Sequence, residues 1–241
     1  MKTKIQSIGQ VMEQHPEIME QAQEAVTNIL PLPSYNWEPE IAKLPKLYQD
    51  KGFKNFIPRN KWEIWVKETL IRFAKEEQKK SLVLLGAYGT GKSHLAISVM
   101  KNLPPQKKRR MISKDDKNRV EKYDEIYQRA YCTFLVVDEF FQELNDCFVD
   151  KKSKEAVITK YLHENDIVCL DDLDTDNFST AKAENLYLFI NRAYLDEKRI
   201  IVTTNFTMEN LERKVPKVTS RLAEMAIIIP FNGQDYRKEN Q

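Results

Sequence analysis

Gly86-Ala87-Tyr88-Gly89-Thr90-Gly91-Lys92-Ser93 satisfies the pattern G-x-x-x-x-G-K-[ST] at every fixed position, and its flanks give it meaning. Upstream, Ser81 to Leu85 reads SLVLL, a short apolar run of the buried-strand kind. Downstream, His94 to Leu103 continues with helical spacing. Strand, glycine-rich loop and helix in this order make a phosphate-binding loop. The glycines let backbone N–H groups turn inward with no Cβ in the way, and the helix N-terminus adds partial positive charge. Lys92 is then placed to reach the β- and γ-phosphates, and Ser93 to be a direct Mg²⁺ ligand. The expected nucleotide contacts are Gly86, Ala87, Tyr88, Gly89, Thr90, Gly91, Lys92, Ser93 and His94, with ATP and Mg²⁺ as the ligands.

The 241 residues have room for one α/β domain with a well-buried core plus an appendage, and two full domains would be crowded. A net charge of +2, from 38 basic and 36 acidic residues, carries no nucleic-acid argument by itself, so local clustering has to. Cys132, Cys147 and Cys169 are odd in number and lack C-x-x-C spacing, which suggests neither a disulfide framework nor a zinc site. Met1 to Leu30 has no apolar core of signal-peptide length, and no stretch approaches the ~18 apolar residues of a membrane span. A soluble protein of the reducing cytoplasm, with no membrane partner, is expected.

Residues 1 to 30 read as two short helices broken near His15-Pro16, each with one narrow apolar stripe, and Pro31 to Trp37 reads as a linker. The expected division is a helical extension over 1–36 and the ATPase core over 37–241. The extension is too small to stand alone, so it either packs on the core or docks onto a partner. From Leu44 an irregular entry segment, LPKLYQDKGFKNF, leads to an amphipathic helix over Asn60 to Gln78, with Asn60 as its N-cap. By analogy this helix, directly before the phosphate-loop strand, lies over the adenine.

After Pro104-Pro105 come seven basic residues, Lys107, Lys108, Arg109, Arg110, Lys114, Lys117 and Arg119, against only Asp115 and Asp116. Such a run reads either as a solvated, mobile loop or as a contact to a phosphate backbone.

Two strands end in paired acids: CTFLVV runs into Asp138-Glu139, and IVCL into Asp171-Asp172. The downstream sequence separates them. After Asp138-Glu139 the chain goes straight into a helix, FFQELNDCF. After Asp171-Asp172 come a loop, a helix and a β-rich strand ending in Thr203-Thr204-Asn205. A polar residue at the end of the strand after Walker B is what an AAA+ ATPase uses as sensor 1, beside the γ-phosphate and the attacking water. Walker B is therefore assigned to Asp171-Asp172. Asp171 would hold Mg²⁺, generally through water, and Asp172 would polarise the attacking water, since phosphoryl transfer is catalysed mainly by positioning and electrostatics. Aspartate is one methylene shorter than the more usual glutamate, which implies slow hydrolysis suited to a timed switch.

Met208 to Lys214 reads as a short helix, and KVTSRLAEM comes next, before a last apolar strand, Ala226 to Ile229. Arg221 occupies the place where an AAA+ protein presents an arginine finger to the neighbouring subunit's nucleotide. The catalytic set is then Asp172, Asn205 and Arg221, with Arg237 a weaker candidate for a second nucleotide-sensing arginine. The 20 residues after Arg221 are too few for the helical lid of larger AAA+ proteins.

In order and spacing, LPKLYQDKGFKNF, GAYGTGKSHLA, TFLVVDEFFQEL, DIVCLDDLD, RIIVTTN, TSRLAEM and GQDYR resemble the bacterial replicative-helicase loaders of DnaC/DnaI type. The same core is similar to the IstB-type ATPase helpers of transposition. The resemblance covers residues 44 to 237. It implies a P-loop AAA+ three-layer α/β core with a mostly parallel sheet and little or no lid. It further implies a homo-oligomer on single-stranded DNA that delivers a DnaB-type hexameric helicase, held through the N-terminal region. By resemblance, the cluster Lys151, Lys152 and Lys154 in the segment before Walker B, with the helix beginning near Ser153, is favoured over the Lys107 run as the DNA contact. The sequence departs from the pattern in three ways. Its N-terminal region is short and lacks the cysteines of zinc-bearing loaders, Tyr88 replaces a proline or small residue, and the basic insertion is long. The last favours a phage or mobile-element version. A small-molecule kinase is the competing enzyme class, and it would need a substrate pocket and lid but not the pair Asn205 and Arg221.

Overall fold

Val83 and Leu85 are buried on one face of strand β1 (Ser81–Gly86), Leu82 and Leu84 on the other. A strand apolar on both faces must be covered on both, and that requirement shapes the molecule. The computed structural model describes residues 44–75, 80–115, 120–128, 130–147, 153–173, 179–232 and 235–236, with the backbone alone over 106–115 and 120–128. The extension expected over 1–36, the pair Lys151 and Lys152, and Arg237 lie outside the described residues.

The chain enters through α1 (Lys46–Gln49) and a single 3₁₀ turn (Phe53–Asn55), then forms α2 (Lys61–Lys75), capped by Asn60, whose Oδ1 accepts from the Glu63 N–H at 2.9 Å. After β1 and α3 (Lys92–Lys101) come β2 (Gln106–Asp115), β3 (Val120–Gln128) and β4 (Cys132–Val136). The order continues α4 (Val137–Asp146), α5 (Lys154–Glu164), β5 (Ile167–Leu173), α6 (Thr180–Leu195), β6 (Arg199–Thr204), α7 (Met208–Lys214), α8 (Pro216–Met225) and β7 (Ala226–Phe231). Ser153, Ser179 and Thr207 cap α5, α6 and α7 through their hydroxyls, as their place before each helix leads one to expect.

Five strands form one sheet in the order β4-β5-β6-β1-β7, and every pairing in it is parallel. Parallel neighbours need crossovers, and the helices supply them. One face is covered by α4 to α8 through Phe140, Leu144, Ile158, Leu186, Phe189, Leu211 and Leu222. The other is covered by the entry segment, α2 and α3, through Phe53, Phe56, Leu70, Phe73, Leu95 and Val99. The result is the expected three-layer α/β architecture, and no helix comes after β7 among the described residues. Among those residues, too, no helix is long and apolar enough to cross a membrane.

The basic run departs from its reading as a loop. Its backbone forms the first strand of an antiparallel hairpin, β2 with β3, separate from the main sheet. The register sets Arg109 opposite Glu125, Arg110 opposite Asp124 and Lys114 opposite Glu121. Charge alone, counted up to Arg119, missed the second half, VEKYDEIYQ, whose valine, isoleucine and tyrosines are strand formers.

Candidate nucleotide site

All five parallel strands point their carboxyl ends the same way, and β1 lies between β6 and β7 although its chain successor in the sheet is the edge strand β4. The crevice at such a switch point is where open α/β sheets bind ligands. A cleft of about 540 Å³ opens there, lined by Lys92, Ser93, His94, Asp171, Asp172, Thr203 and Asn205 from the strand ends and phosphate loop.

Gly89 adopts φ +72°, so the turn needs glycine for its backbone angle. Thr90 is buried, and its hydroxyl donates to the Ala87 carbonyl at 2.9 Å, closing the loop from within. Gly91 caps α3, so the helix starts at Lys92 with its free N–H groups facing the loop. The Lys92 ammonium donates to Gly86 O and Ala87 O at 2.7 Å each and to Asn205 Oδ1 at 2.9 Å. Tyr88 stands at the mouth, 49% exposed.

Asp171 lies near the end of β5, and only 2% of it is exposed. Thr203 Oγ1 donates to Asp171 Oδ1 at 2.7 Å, and Ser93 also hydrogen-bonds to this carboxylate. Burial pushes the Asp171 carboxyl above the usual carboxylate range, and Asp172 adds to the rise. The hydrogen bonds from Thr203 and Ser93 and the charge of Lys92 pull it back. Asp172 differs in every respect: it is exposed, its φ is +60°, and its Oδ1 accepts from Asn205 Nδ2 at 3.2 Å. The pairing of β5 with β6 breaks register between Leu170 and Leu173, which is what turns two successive aspartates into one buried and one exposed carboxylate.

The other acidic pair lies elsewhere. Asp138 and Glu139 are in the first turn of α4 after the edge strand, outside the cleft lining, and Asp138 Oδ1 pairs with Lys182 Nζ at 2.6 Å. Arg221, on α8, is also outside the cleft of its own chain. Its Nε donates to Asn191 Oδ1 at 2.8 Å, and its guanidinium lies over the rings of Tyr187 (5.1 Å) and Tyr194 (5.8 Å), with no carboxylate among these contacts. Lys154 is turned inward, donating to Asn185 Oδ1 at 2.8 Å and Asn145 Oδ1 at 3.3 Å.

The far end of the cleft corrects the reading of α2. No residue of α2 lines it; Leu47, Tyr48, Lys51, Asn55, Phe56 and Ile57 of the entry segment do, with Tyr236. The apolar face of α2 instead packs on the sheet through Val66, Leu70 and Phe73. His94 Nε2 lies 2.9 Å from Gly52 O, and its ring meets Phe56 edge-on. Burial, with Lys51, Lys101 and Lys67 adding to it, lowers the His94 pKa against the effect of the Gly52 carbonyl. Tyr236 anchors the tail: its N–H donates to Gly89 O at 3.0 Å, and its hydroxyl reaches Ile57 O at 3.0 Å and Glu63 Oε2 at 2.5 Å. Arg59 lies 3.3 Å above its ring. Sequence reasoning missed Thr203 and Tyr236 as site residues; their presence in TTN and GQDYR was the available signal.

The residues present fit a magnesium nucleotide. A buried carboxylate with a serine hydroxyl against it is an all-oxygen donor set that favours a hard cation, and Lys92 sits in a loop whose glycines open its backbone.

No protein-family model matches the sequence, and no curated protein matches it. Solved structures do share the fold. The DnaC helicase loader superposes with a TM-score of 0.61 at 19% identity, over 78% of this chain and 100% of that one. DnaI gives 0.54 at 18% identity over 80% and 93%. The replication initiator DnaA bound to AMPPCP and single-stranded DNA gives 0.52 at 18% identity over 79% of this chain and 51% of that one. The fold is that of an AAA+ ATPase domain. Within that class it is the fold shared by helicase loaders of DnaC/DnaI type and the core of DnaA.

Proposed function

We propose that this chain is an ATP-dependent AAA+ helicase loader that binds single-stranded DNA and delivers a replicative hexameric helicase of DnaB type during replication initiation. The observation that carries the reading is the convergence of Lys92, Asp171, Asp172 and Asn205 from the loop after β1 and the ends of β5 and β6 into one cleft.

The loop N–H groups and Lys92 bind the phosphates, in a cradle that the loop glycines leave open. Ser93 and Asp171 would hold Mg²⁺, which would supply charge neutralisation at the phosphates. Asp172 and Asn205, already hydrogen-bonded to one another, orient the water that attacks the γ-phosphorus, and ADP leaves. Asp172 is exposed at the cleft, whereas Asp171 is buried and its carboxylate is held by Thr203 and Ser93, which divides the two roles. Arg221, half-buried on α8, serves the nucleotide of a neighbouring copy, so the active unit is a homo-oligomer. Residues 1–36 hold the helicase.

The fold shared with a loader and with an initiator bound to AMPPCP and single-stranded DNA supports this reading, and an IstB-type transposition helper is the alternative. The test adds the full chain, ATP and single-stranded circular DNA carrying an annealed oligonucleotide to a purified DnaB-type hexamer, and monitors unwinding. Wild type is expected to stimulate unwinding, and Lys92→Ala or deletion of 1–36 to abolish it. Stimulation of a transposase with no effect on the helicase would favour the IstB-type reading.

A further inference from the structure

The break between β5 and β6 has a single side chain at its centre. Thr203 is 1% exposed, and its hydroxyl is used in both directions: it donates to Asp171 Oδ1 at 2.7 Å and accepts from the Asp172 N–H at 2.9 Å. Asp172 is one of only two non-glycine residues with positive φ among the described residues, at +60°. Left-handed backbone at a non-glycine residue is unfavourable and persists where its surroundings hold it. The hydrogen bond to its N–H ties that backbone to β6. We propose that Thr203 is a positioning residue: by holding one aspartate through its carboxylate and the next through its backbone, it fixes the bulge that gives Asp171 to the cation and Asp172 to the water. This rests on the ATPase reading above. Thr203 lines the cleft, but its hydroxyl is spent on the two aspartates.

Thr204 provides the control. It is equally buried on the same strand, and its hydroxyl donates to Leu173 O at 2.7 Å, with no bond to either aspartate. Replacing either threonine by valine removes a buried hydroxyl of nearly the same shape, but only one change releases the aspartates.

The experiment compares full-length wild type, Thr203→Val, Thr203→Ser and Thr204→Val. Mn²⁺ affinity is read by electron paramagnetic resonance in the presence of AMPPCP, metal-free AMPPCP affinity by calorimetry, and kcat and KM at saturating Mg²⁺. Partners behind a metal ligand typically change metal affinity or activity about 10–100-fold when removed. Thr203→Val is expected to lose about tenfold or more in Mn²⁺ affinity and kcat, with metal-free AMPPCP affinity and KM within about threefold of wild type. Thr203→Ser should stay near wild type, and Thr204→Val should bind Mn²⁺ normally whatever it does to melting. If Thr203→Val does not fold, Thr203→Cys, with a weak donor of similar size, is read instead and should fall between serine and valine. Wild-type Mn²⁺ affinity and kcat in the valine or cysteine variant overturns the proposal, as does an equal loss in Thr204→Val. A wild type that binds no AMPPCP overturns the ATPase reading beneath it, while intact binding with an unaffected Thr203 variant overturns this inference alone.

Discussion

Lys92 Nζ donates to Asn205 Oδ1 at 2.9 Å, tying the phosphate loop to the end of β6. The same ammonium also donates to two loop carbonyls. Three donors already engaged cannot reach a phosphate unless one is released. Releasing Gly86 O or Ala87 O would remodel the loop, whereas Asn205 is a side chain that can turn away. On binding ATP, Asn205 should therefore leave Lys92 while keeping its amide near Asp172.

This gives a separable phenotype for Asn205→Ala. ATP affinity should be unchanged or modestly tighter, because a competitor for Lys92 is gone, while kcat falls at least about tenfold, because a water-orienting donor is lost. Calorimetry and steady-state turnover check it. Weaker binding with normal turnover would assign Asn205 to holding the loop.

Arg221 should act in trans. ATPase activity per chain is expected to rise with protein concentration or with added single-stranded DNA, and Arg221→Ala should lose that rise while still binding ATP. An arginine supplied to a phosphoryl-transfer site is worth about 10³-fold or more in kcat in well-studied cases, so the loss should be large. Mixtures of Arg221→Ala with Lys92→Ala should partly recover activity, since some interfaces regain one good half from each. No recovery at any ratio, with both proteins folded, would leave Arg221 as the side chain seen over Tyr187 and Tyr194 and nothing more.

Single-strand binding should be indifferent to sequence and weaken steeply with salt, as each neutralised phosphate releases counterion. Lys151→Glu with Lys152→Glu is expected to weaken ATP-dependent binding more than reversal of Lys108 and Arg109. Titrations at two salt concentrations would decide, and undiminished binding by the first pair would move the DNA path to the β2–β3 hairpin.

Tyr236→Phe should destabilise the chain. Its hydroxyl donates to Glu63 Oε2, which also accepts from the Arg59 N–H at 2.7 Å, and Glu63 is 3% exposed with its other oxygen, Oε1, buried without a hydrogen bond. Leaving a buried acceptor less satisfied costs about 1–3 kcal/mol. The expected fall in melting temperature is about 2–12 °C for a chain of this size. An unchanged melting curve would mean that Arg59 and the backbone bond to Gly89 suffice to hold the tail.

Much of the fold could be read from order along the chain. SLVLL before the glycine loop, and the loop, helix and TTN after Asp171-Asp172, located β1, β5 and β6 and separated the two acidic pairs. What escaped depends on pairing across distance. The bulge at Asp172 exists because β5 shifts register against a strand about 30 residues later, and Tyr236 meets Glu63 across 173 residues. The face of α2 was legible as apolar, but an apolar face does not say whether it meets a sheet or a base, and the cleft end fell to the irregular entry segment instead. The hairpin was hidden by its own charge, since a basic run and a strand are not exclusive.

The most direct test is turnover at saturating ATP and Mg²⁺ in Asp172→Asn beside Asp138→Asn and Glu139→Gln, with ATP affinity measured on the same preparations. Asp172→Asn should bind ATP as wild type does and lose turnover by about 10²-fold or more, while the other two, remote from the cleft, turn over within about twofold of wild type. Normal turnover in Asp172→Asn with a dead Asp138→Asn or Glu139→Gln would contradict the assignment of the site.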